Sequence, residues 1–273
     1  MKLSAMTYSF AQQQHPALPI EYPELISKAG VHGINWVTLY DLPPEKVIKA
    51  TDDAGLQISC YTFAITALHL GKRESEYLAQ AEQCFQDAAS VGAPRVMVVP
   101  MPIPGCADRN ESREKWIPIL KKLVPMAKKA GTVLTIESFQ GAASPFVLAS
   151  DLLEAAAEVP ELRFTYDAGN AATGEDPLYT LEKIADKIEF VHIKDWLVSD
   201  TQVPGSTPGL TGKFYLPALP GEGVLPIPEI LKRLRKSGYE GFVDIEYEGK
   251  EAAEKVVAKV AGNLRKYQER YFD

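Results

Sequence analysis

Eight short runs rich in Val, Ile, Leu, Tyr, Phe and Thr recur along this chain, and helical stretches alternate with them. The runs are Leu3–Phe10, Ile34–Tyr40, Leu56–Ile65, Arg95–Pro100, Val133–Ser138, Arg163–Asp167, Ile188–Lys194 and Phe242–Tyr247. Strand-length blocks of β-branched and aromatic residues mark strands. Apolar residues at spacings of three and four, as after Tyr22 and Pro44, mark amphipathic helices. Gly30, Gly55, Gly92, Gly131 and Gly238 stand where helices stop, at the left-handed position that follows a helix. Ala29–Val37 also echoes Ser237–Ile245: each reads as a helix end, a Gly-x-x-Gly turn and a strand. Eight strands alternating with eight helices is the count of a closed (β/α)8 TIM barrel, an α/β fold. A single domain over residues 1–273 is therefore expected. A doubly wound nucleotide-binding sheet would need a GxGxxG turn after its first strand, and none is present; nor is there a GxxxxGK[ST] loop.

Composition narrows the function classes. The chain has 29 Lys+Arg against 36 Asp+Glu, a formal charge of −7, which argues against nucleic acid as a partner. Cys60, Cys84 and Cys106 form no CxxC pair and read as free thiols of a reducing compartment. No apolar run approaches the ~18 residues of a membrane span. The opening MKLSAMTYSF alternates like a strand and lacks the continuous apolar core of a signal peptide. A mature cytoplasmic protein that touches no membrane is the expectation.

One connection is too long for a barrel unit. Eight units sharing 273 residues average roughly 34 each, whereas 54 positions separate His192 from Glu246. The excess lies in Val198–Val224, which contains Pro204, Pro208, Pro217 and Pro220. A long connection with little regular structure is expected there, serving as a lid or other functional excursion.

Chemistry in a barrel gathers where its strands end. Glu137, Asp167, His192 and Glu246 close strands five to eight. Strand ends converge on the barrel axis, and three carboxylates placed together repel unless a cation joins them. Three carboxylates with one imidazole form a hard, oxygen-rich donor set. It favours Mn²⁺ or Mg²⁺, with Co²⁺ as a third choice, over the thiolate and multi-histidine sites typical of zinc.

The stretches ThrIleGluSer (135–138), TyrAspAlaGlyAsn (166–170), PheValHisIleLysAspTrp (190–196), LeuProGlyGluGly (219–223) and GlyTyrGluGlyPheValAspIleGluTyrGlu (238–248) carry a resemblance. Together they resemble the sugar phosphate isomerase/epimerase superfamily, the xylose isomerase-like TIM barrels. That group includes ketose 3-epimerases, hydroxypyruvate isomerase, inosose dehydratase and endonuclease IV. The resemblance is close in the C-terminal half and limited to βα rhythm in the N-terminal half. It implies a divalent ion held by Glu137, Asp167, His192 and Glu246, with Glu137 and Glu246 as acid and base on a carbohydrate substrate. A homodimer is the common assembly of such barrels. The chain also departs from the ketose 3-epimerase pattern at three substrate-gripping positions: Asn170 replaces a histidine, Val198 an arginine and Ala143 a glutamate. Endonuclease IV needs many more histidines than the four present.

Around the quartet, Lys194, Asn170, Trp196, Tyr8, His69 and Glu222 are the candidate substrate-binding residues. Each has a structural alternative: an ion pair for Lys194, packing beneath the long connection for Trp196, helix capping for Glu222, core packing for Tyr8. Asp195 is expected to orient a neighbour rather than react. Tyr40, Tyr61 and Phe63 lie near strand ends, where rings stack on sugars or fill the core. His15 and His32 read as loop residues without a role. The expected function is a metal-dependent sugar isomerase or epimerase that moves a proton next to a carbonyl through an enediolate. The alternatives are an inosose or keto-sugar dehydratase using the same site, and a sugar-binding barrel without catalysis.

Overall fold

In the computed structural model, which describes residues 1–13 and 16–272, eight parallel strands close into a barrel. They are β1 (Lys2–Met6), β2 (Gly33–Val37), β3 (Gln57–Ala64), β4 (Arg95–Val99), β5 (Val133–Glu137), β6 (Arg163–Asp167), β7 (Ile188–Ile193) and, after three further strands, β11 (Phe242–Ile245). Strand β11 pairs with both β7 and β1, which completes the ring. Eight outer helices return the chain: α2 (Tyr22–Ser27), α3 (Pro44–Asp53), α5 (Glu74–Ser90), α6 (Arg109–Lys129), α7 (Ala149–Glu158), α9 (Pro177–Ile184), α10 (Ile227–Lys236) and α11 (Ala253–Phe272). The remaining α-helices among the described residues are single turns after the strand ends: α1 (Tyr8–Ala11), α4 (Thr66–His69) and α8 (Ala168–Ala172). Among the described residues no helix is long and apolar enough to cross a membrane.

Period-two alternation divides each strand between two environments. Ile34, Trp36, Val96, Val98, Leu134, Ile136, Phe164, Tyr166, Val191, Ile193, Val243 and Ile245 belong to the large core shared with the helices. Met6, Cys60, Met97, Phe190 and Phe242 form a separate small cluster of apolar side chains. The polar side chains of the site continue that inward row: His192 follows Phe190 by two residues, and Asp244 follows Phe242 by two. The Gly-x-x-Gly echo is structural. Gly30 and Gly238 both have left-handed backbones, φ 70° and 85°, and lead into β2 and β11.

Three expectations change. The first strand stops at Met6, because Tyr8–Ala11 turns helical. That turn buries Phe10, leaves Tyr8 at 37% exposure and lets Ser9 Oγ accept from Tyr247 N at 3.0 Å. The second strand stops at Val37, and Thr38, Tyr40 and Asp41 take positive φ values of 59°, 51° and 59°. The long connection is ordered. It contains an antiparallel sheet of β8 (Asp195–Ser199), β9 (Thr207–Pro208) and β10 (Phe214–Ala218), in the order β8-β10-β9. Its prolines and glycines fall largely in turns between short strands, which is why the segment reads as irregular. The sheet is pinned to the barrel by Ala142 N donating to Pro208 O and Leu210 N donating to Thr173 O, both at 2.8 Å. His15 lies outside the described residues.

Asp195 anchors this excursion. Its buried carboxylate accepts from the backbone N–H groups of Trp196, Gly221, Gly223 and Leu225 at 2.9–3.0 Å. Asp195→Asn puts an amide N–H among these donors. It is expected to cost about 2 kcal/mol and lower the melting temperature by roughly 4–8 °C. Calorimetry that shows an unchanged melting temperature contradicts this anchoring role.

Candidate metal centre

Glu137 ends β5, Asp167 ends β6, His192 is the penultimate residue of β7, and Glu246 follows β11. All four are buried, and one ligand atom from each lies within 4.8 Å of every other. Donors bound to one small divalent ion at roughly 2.1 Å stand about 3–4 Å apart, so the grouping is of the right size. His192 Nδ1 lies 2.9 Å from Glu246 Oε2, 3.7 Å from Glu137 Oε2 and 3.9 Å from Asp167 Oδ2. Asp167 Oδ2 is buried without a hydrogen-bond partner, and His192 Nδ1, although close to Glu246 Oε2, makes no well-directed hydrogen bond. Buried polar atoms are rarely left so. Two unsatisfied ligand atoms within one cluster of carboxylates fit a divalent ion as the missing partner.

The electrostatics agree. Burial, reinforced by Glu246, pushes the Glu137 carboxyl up to about 8. Burial raises Asp167 to about 6 against the pull of Lys194. Burial pulls the His192 imidazole down, but Glu246, Asp244 and Glu137 outweigh it and hold it at about 9. Burial also works against Glu246 ionisation, yet Lys194 and His192 more than cancel it and hold that carboxyl well below the ordinary range.

Behind the quartet lies a network that sequence reasoning missed. Asp244 and Asn35 meet the far side of His192: Asp244 Oδ2 lies 3.7 Å and Asn35 Nδ2 3.5 Å from Nε2. Asn35 Nδ2 donates to Asp244 Oδ2 at 3.0 Å, Thr62 Oγ1 donates to Asn35 Oδ1 at 2.9 Å, and Ser4 Oγ donates to Asp244 Oδ1. A carboxylate behind a ligating histidine keeps the proton on the outer nitrogen and frees the other lone pair for metal. The readable signal for Asp244 was its place two residues before Glu246 on the same strand face. Nothing in the sequence singles out Asn35.

The candidate substrate residues divide. Lys194 is inside the site, its Nζ 3.0 Å from Glu246 Oε1, 2.9 Å from Gln140 Oε1, 3.4 Å from Glu248 Oε1 and 3.7 Å from Asp167 Oδ2. Asn170 Nδ2 donates to Glu137 Oε2 at 3.1 Å. Tyr8 is at the mouth, where burial and then Glu248 and Glu246 raise its hydroxyl pKa. Trp196 is 1% exposed, donates Nε1–H to Gly169 O at 2.7 Å and packs against Tyr215. Its packing alternative describes it best. His69 is on α4, bonded to the Pro102 backbone, outside the cluster. Glu222 is exposed and paired with Lys259 on α11. Tyr40 bonds Thr7 Oγ1, while Tyr61 and Phe63 are buried in the outer core. Gln140 and Glu248 join the site without having been singled out.

A model of the xylose isomerase-like TIM barrel family matches residues 23–267. This chain belongs to that family. It is similar to the 2-oxo-tetronate isomerase of Haemophilus influenzae, at 22% identity over 240 residues, covering 82% of this chain and 85% of the relative. It is also similar to an inosose dehydratase of Lacticaseibacillus casei, at 25% identity over 133 residues, 47% of this chain and 45% of that enzyme. The fold matches the solved IolI protein with a bound zinc atom at a TM-score of 0.79 and 16% identity, covering all of both chains. It also matches a Mycobacterium smegmatis protein in complex with magnesium, at 0.74 and 19% identity, covering 100% of this chain and 98% of the other. The relatives matched in sequence are thus named as an isomerase and a dehydratase.

Two outcomes are expected from metal titration. Protons and metal compete for the same donors, so binding should tighten as pH rises from 6 to 9 and release about one to two protons per ion, chiefly from His192 and Glu137. Calorimetry in buffers of differing ionisation enthalpy reads this directly, and pH-independent affinity contradicts it. Asp244→Asn should weaken metal affinity by ~10–100-fold. Wild-type affinity in that variant removes Asp244 from the metal's support.

Proposed function

We propose that this chain is a divalent-metal-dependent isomerase or epimerase of a keto-sugar or keto-polyol, which moves a proton next to a carbonyl through an enediolate. The observation that carries the reading is the pair of buried glutamates in one donor cluster, Glu137 from β5 and Glu246 from β11, with β6 and β7 between them. A substrate seated over Asp167 and His192 is flanked by both. A binder without catalysis has no use for two opposed carboxylates.

A proton next to a carbonyl leaves at neutral pH only if the developing oxygen charge is stabilised. A divalent ion held by Glu137, Asp167, His192 and Glu246 would supply that stabilisation as a Lewis acid. Manganese is the proposed ion, with magnesium and cobalt as alternatives, on the strength of the hard oxygen donors. The chain's own residues handle the proton. Glu246, ionised beside Lys194 at 3.0 Å, has a free carboxylate placed to take the proton. Glu137, at the other end of the cluster on β5, is placed to return one from the other side. Asn170 fixes the Glu137 carboxyl through its 3.1 Å bond, and Lys194 orients Glu246 and Glu248 together. A second reading, a dehydratase in which a β-hydroxyl leaves after the same proton abstraction, draws on the similarity to inosose dehydratase.

Incubation of the Mn²⁺-loaded protein in D₂O with ketoses, inososes and 3-keto-glycosides separates the two. Deuterium at the α-carbon with an isomeric product is expected, and loss of water instead supports the dehydratase. Absence of exchange with every substrate overturns both. Glu246→Gln should cut exchange by ~10²–10⁴-fold, and activity that survives the change reassigns the base.

A further inference from the structure

We propose that Glu248 selects the substrate. With Lys194 fully committed, it makes the mouth of the site accept a neutral polyhydroxylated ketone and refuse a phosphorylated or carboxylated one. The inference rests on the proposed function for where the substrate sits.

Asp244, Glu246 and Glu248 lie two residues apart along the end of β11, and all three reach into the site. Asp244 contacts His192 from behind, Glu246 belongs to the metal quartet, and Glu248 stands at the mouth with its side chain 17% exposed. Glu248 therefore adds a carboxylate that the metal quartet does not need. Gln140 holds it in place, donating from Nε2 to Glu248 Oε2 at 3.4 Å while its Oε1 accepts from Lys194.

An anionic substrate needs a cation to receive it. Among the described residues, the segments from each barrel strand to the start of the next outer helix carry six: Lys72, Arg73, Arg109, Lys194, Lys213 and Lys250. Lys194 is the one within the cluster, and Glu246, Glu248, Asp167 and Gln140 already surround it. Arg109 is tied to Asp151 and the Ser144 carbonyl, Lys213 to Asp200, and Arg73 to Glu76. Lys72 and Lys250 are solvent-exposed and pair with none of the site's carboxylates. Five carboxylates, counting Asp244, thus face one ammonium and one divalent ion, which leaves a surplus of negative charge.

The open hydrogen-bonding positions point the same way. Asn170 Oδ1 is buried and unpartnered, with its orientation fixed by Nδ2 donating to Glu137. That oxygen and the Glu248 carboxylate are both acceptors. Hydroxyl groups can donate to them, whereas a phosphate dianion or a carboxylate offers only more acceptors. The Haemophilus relative is named for an oxo-acid; this mouth is built for an uncharged chain or ring of hydroxyls.

Calorimetric binding to the Mn²⁺-loaded protein tests this without turnover. The probes are D-xylulose and D-fructose, their terminal phosphates D-xylulose 5-phosphate and D-fructose 6-phosphate, and 2-keto-myo-inositol. At least one neutral probe should bind, at least about tenfold more tightly than either phosphate. Glu248→Gln keeps the size and hydrogen-bonding reach but removes the charge, so it should narrow that ratio about tenfold or more by strengthening phosphate binding. The proposal is overturned if a phosphate binds as tightly as its neutral partner, if no neutral probe binds, or if Glu248→Gln leaves the ratio unchanged. The wild-type ratio decides alone if the variant does not fold. A chain that binds neutral probes but exchanges no deuterium retains this selectivity and loses the proposed proton transfer.

Discussion

Mutual repulsion of buried carboxylates is the constraint around which this barrel is arranged. Buried Glu137, Asp167, Asp244 and Glu246 and half-buried Glu248 are brought together by a closed parallel sheet whose strands end on one axis. Isolated buried anions are too costly to keep, and they persist only when paired or joined by a cation. Lys194 supplies part of the compensation, and a divalent ion held by the quartet would supply more without cancelling it. That shortage of positive charge links the candidate metal donors to the proposed acid and base and to the proposed preference for an uncharged substrate.

Neighbouring residues on one segment divide the labour. At the end of β7, His192 and Lys194 turn inward to the chemistry, two residues apart. Asp195 instead holds the turn at 221–225, and Trp196 closes on α8 through Gly169 O. The same few residues thus set the donors and fix the three-stranded sheet beside them. The long connection is a packed extension of the barrel at this edge, tied to the segments after β5 and β6.

Much of this was legible in the sequence for physical reasons. Strand-sized β-rich runs and helical spacing impose the barrel, and a charged residue ending an apolar run has few places to go except the barrel mouth. That argument finds Glu137, Asp167, His192 and Glu246 one strand at a time. Period two, applied once more to Glu246, would also have found Asp244 and Glu248. Asn35 and Gln140 could not be found this way, since they join the site through contacts across strands and loops. Tyr8–Ala11 reads as strand because the preference of Phe10 for the core and the bond to Ser9 are tertiary effects. Glu222 sits in one of the stretches that carry the resemblance, LeuProGlyGluGly, yet its carboxylate faces Lys259.

The central claim is that four side chains from consecutive strands of the barrel ring share one divalent ion. A crystal structure of the Mn²⁺-soaked protein, with anomalous scattering collected at the manganese edge, tests it most directly. The account predicts one strong anomalous peak bound by Glu137, Asp167, Glu246 and the Nδ1 atom of His192, with Nε2 turned to Asp244 and Asn35. A peak bound elsewhere, or a quartet that closes on itself with no peak under saturating metal, contradicts it.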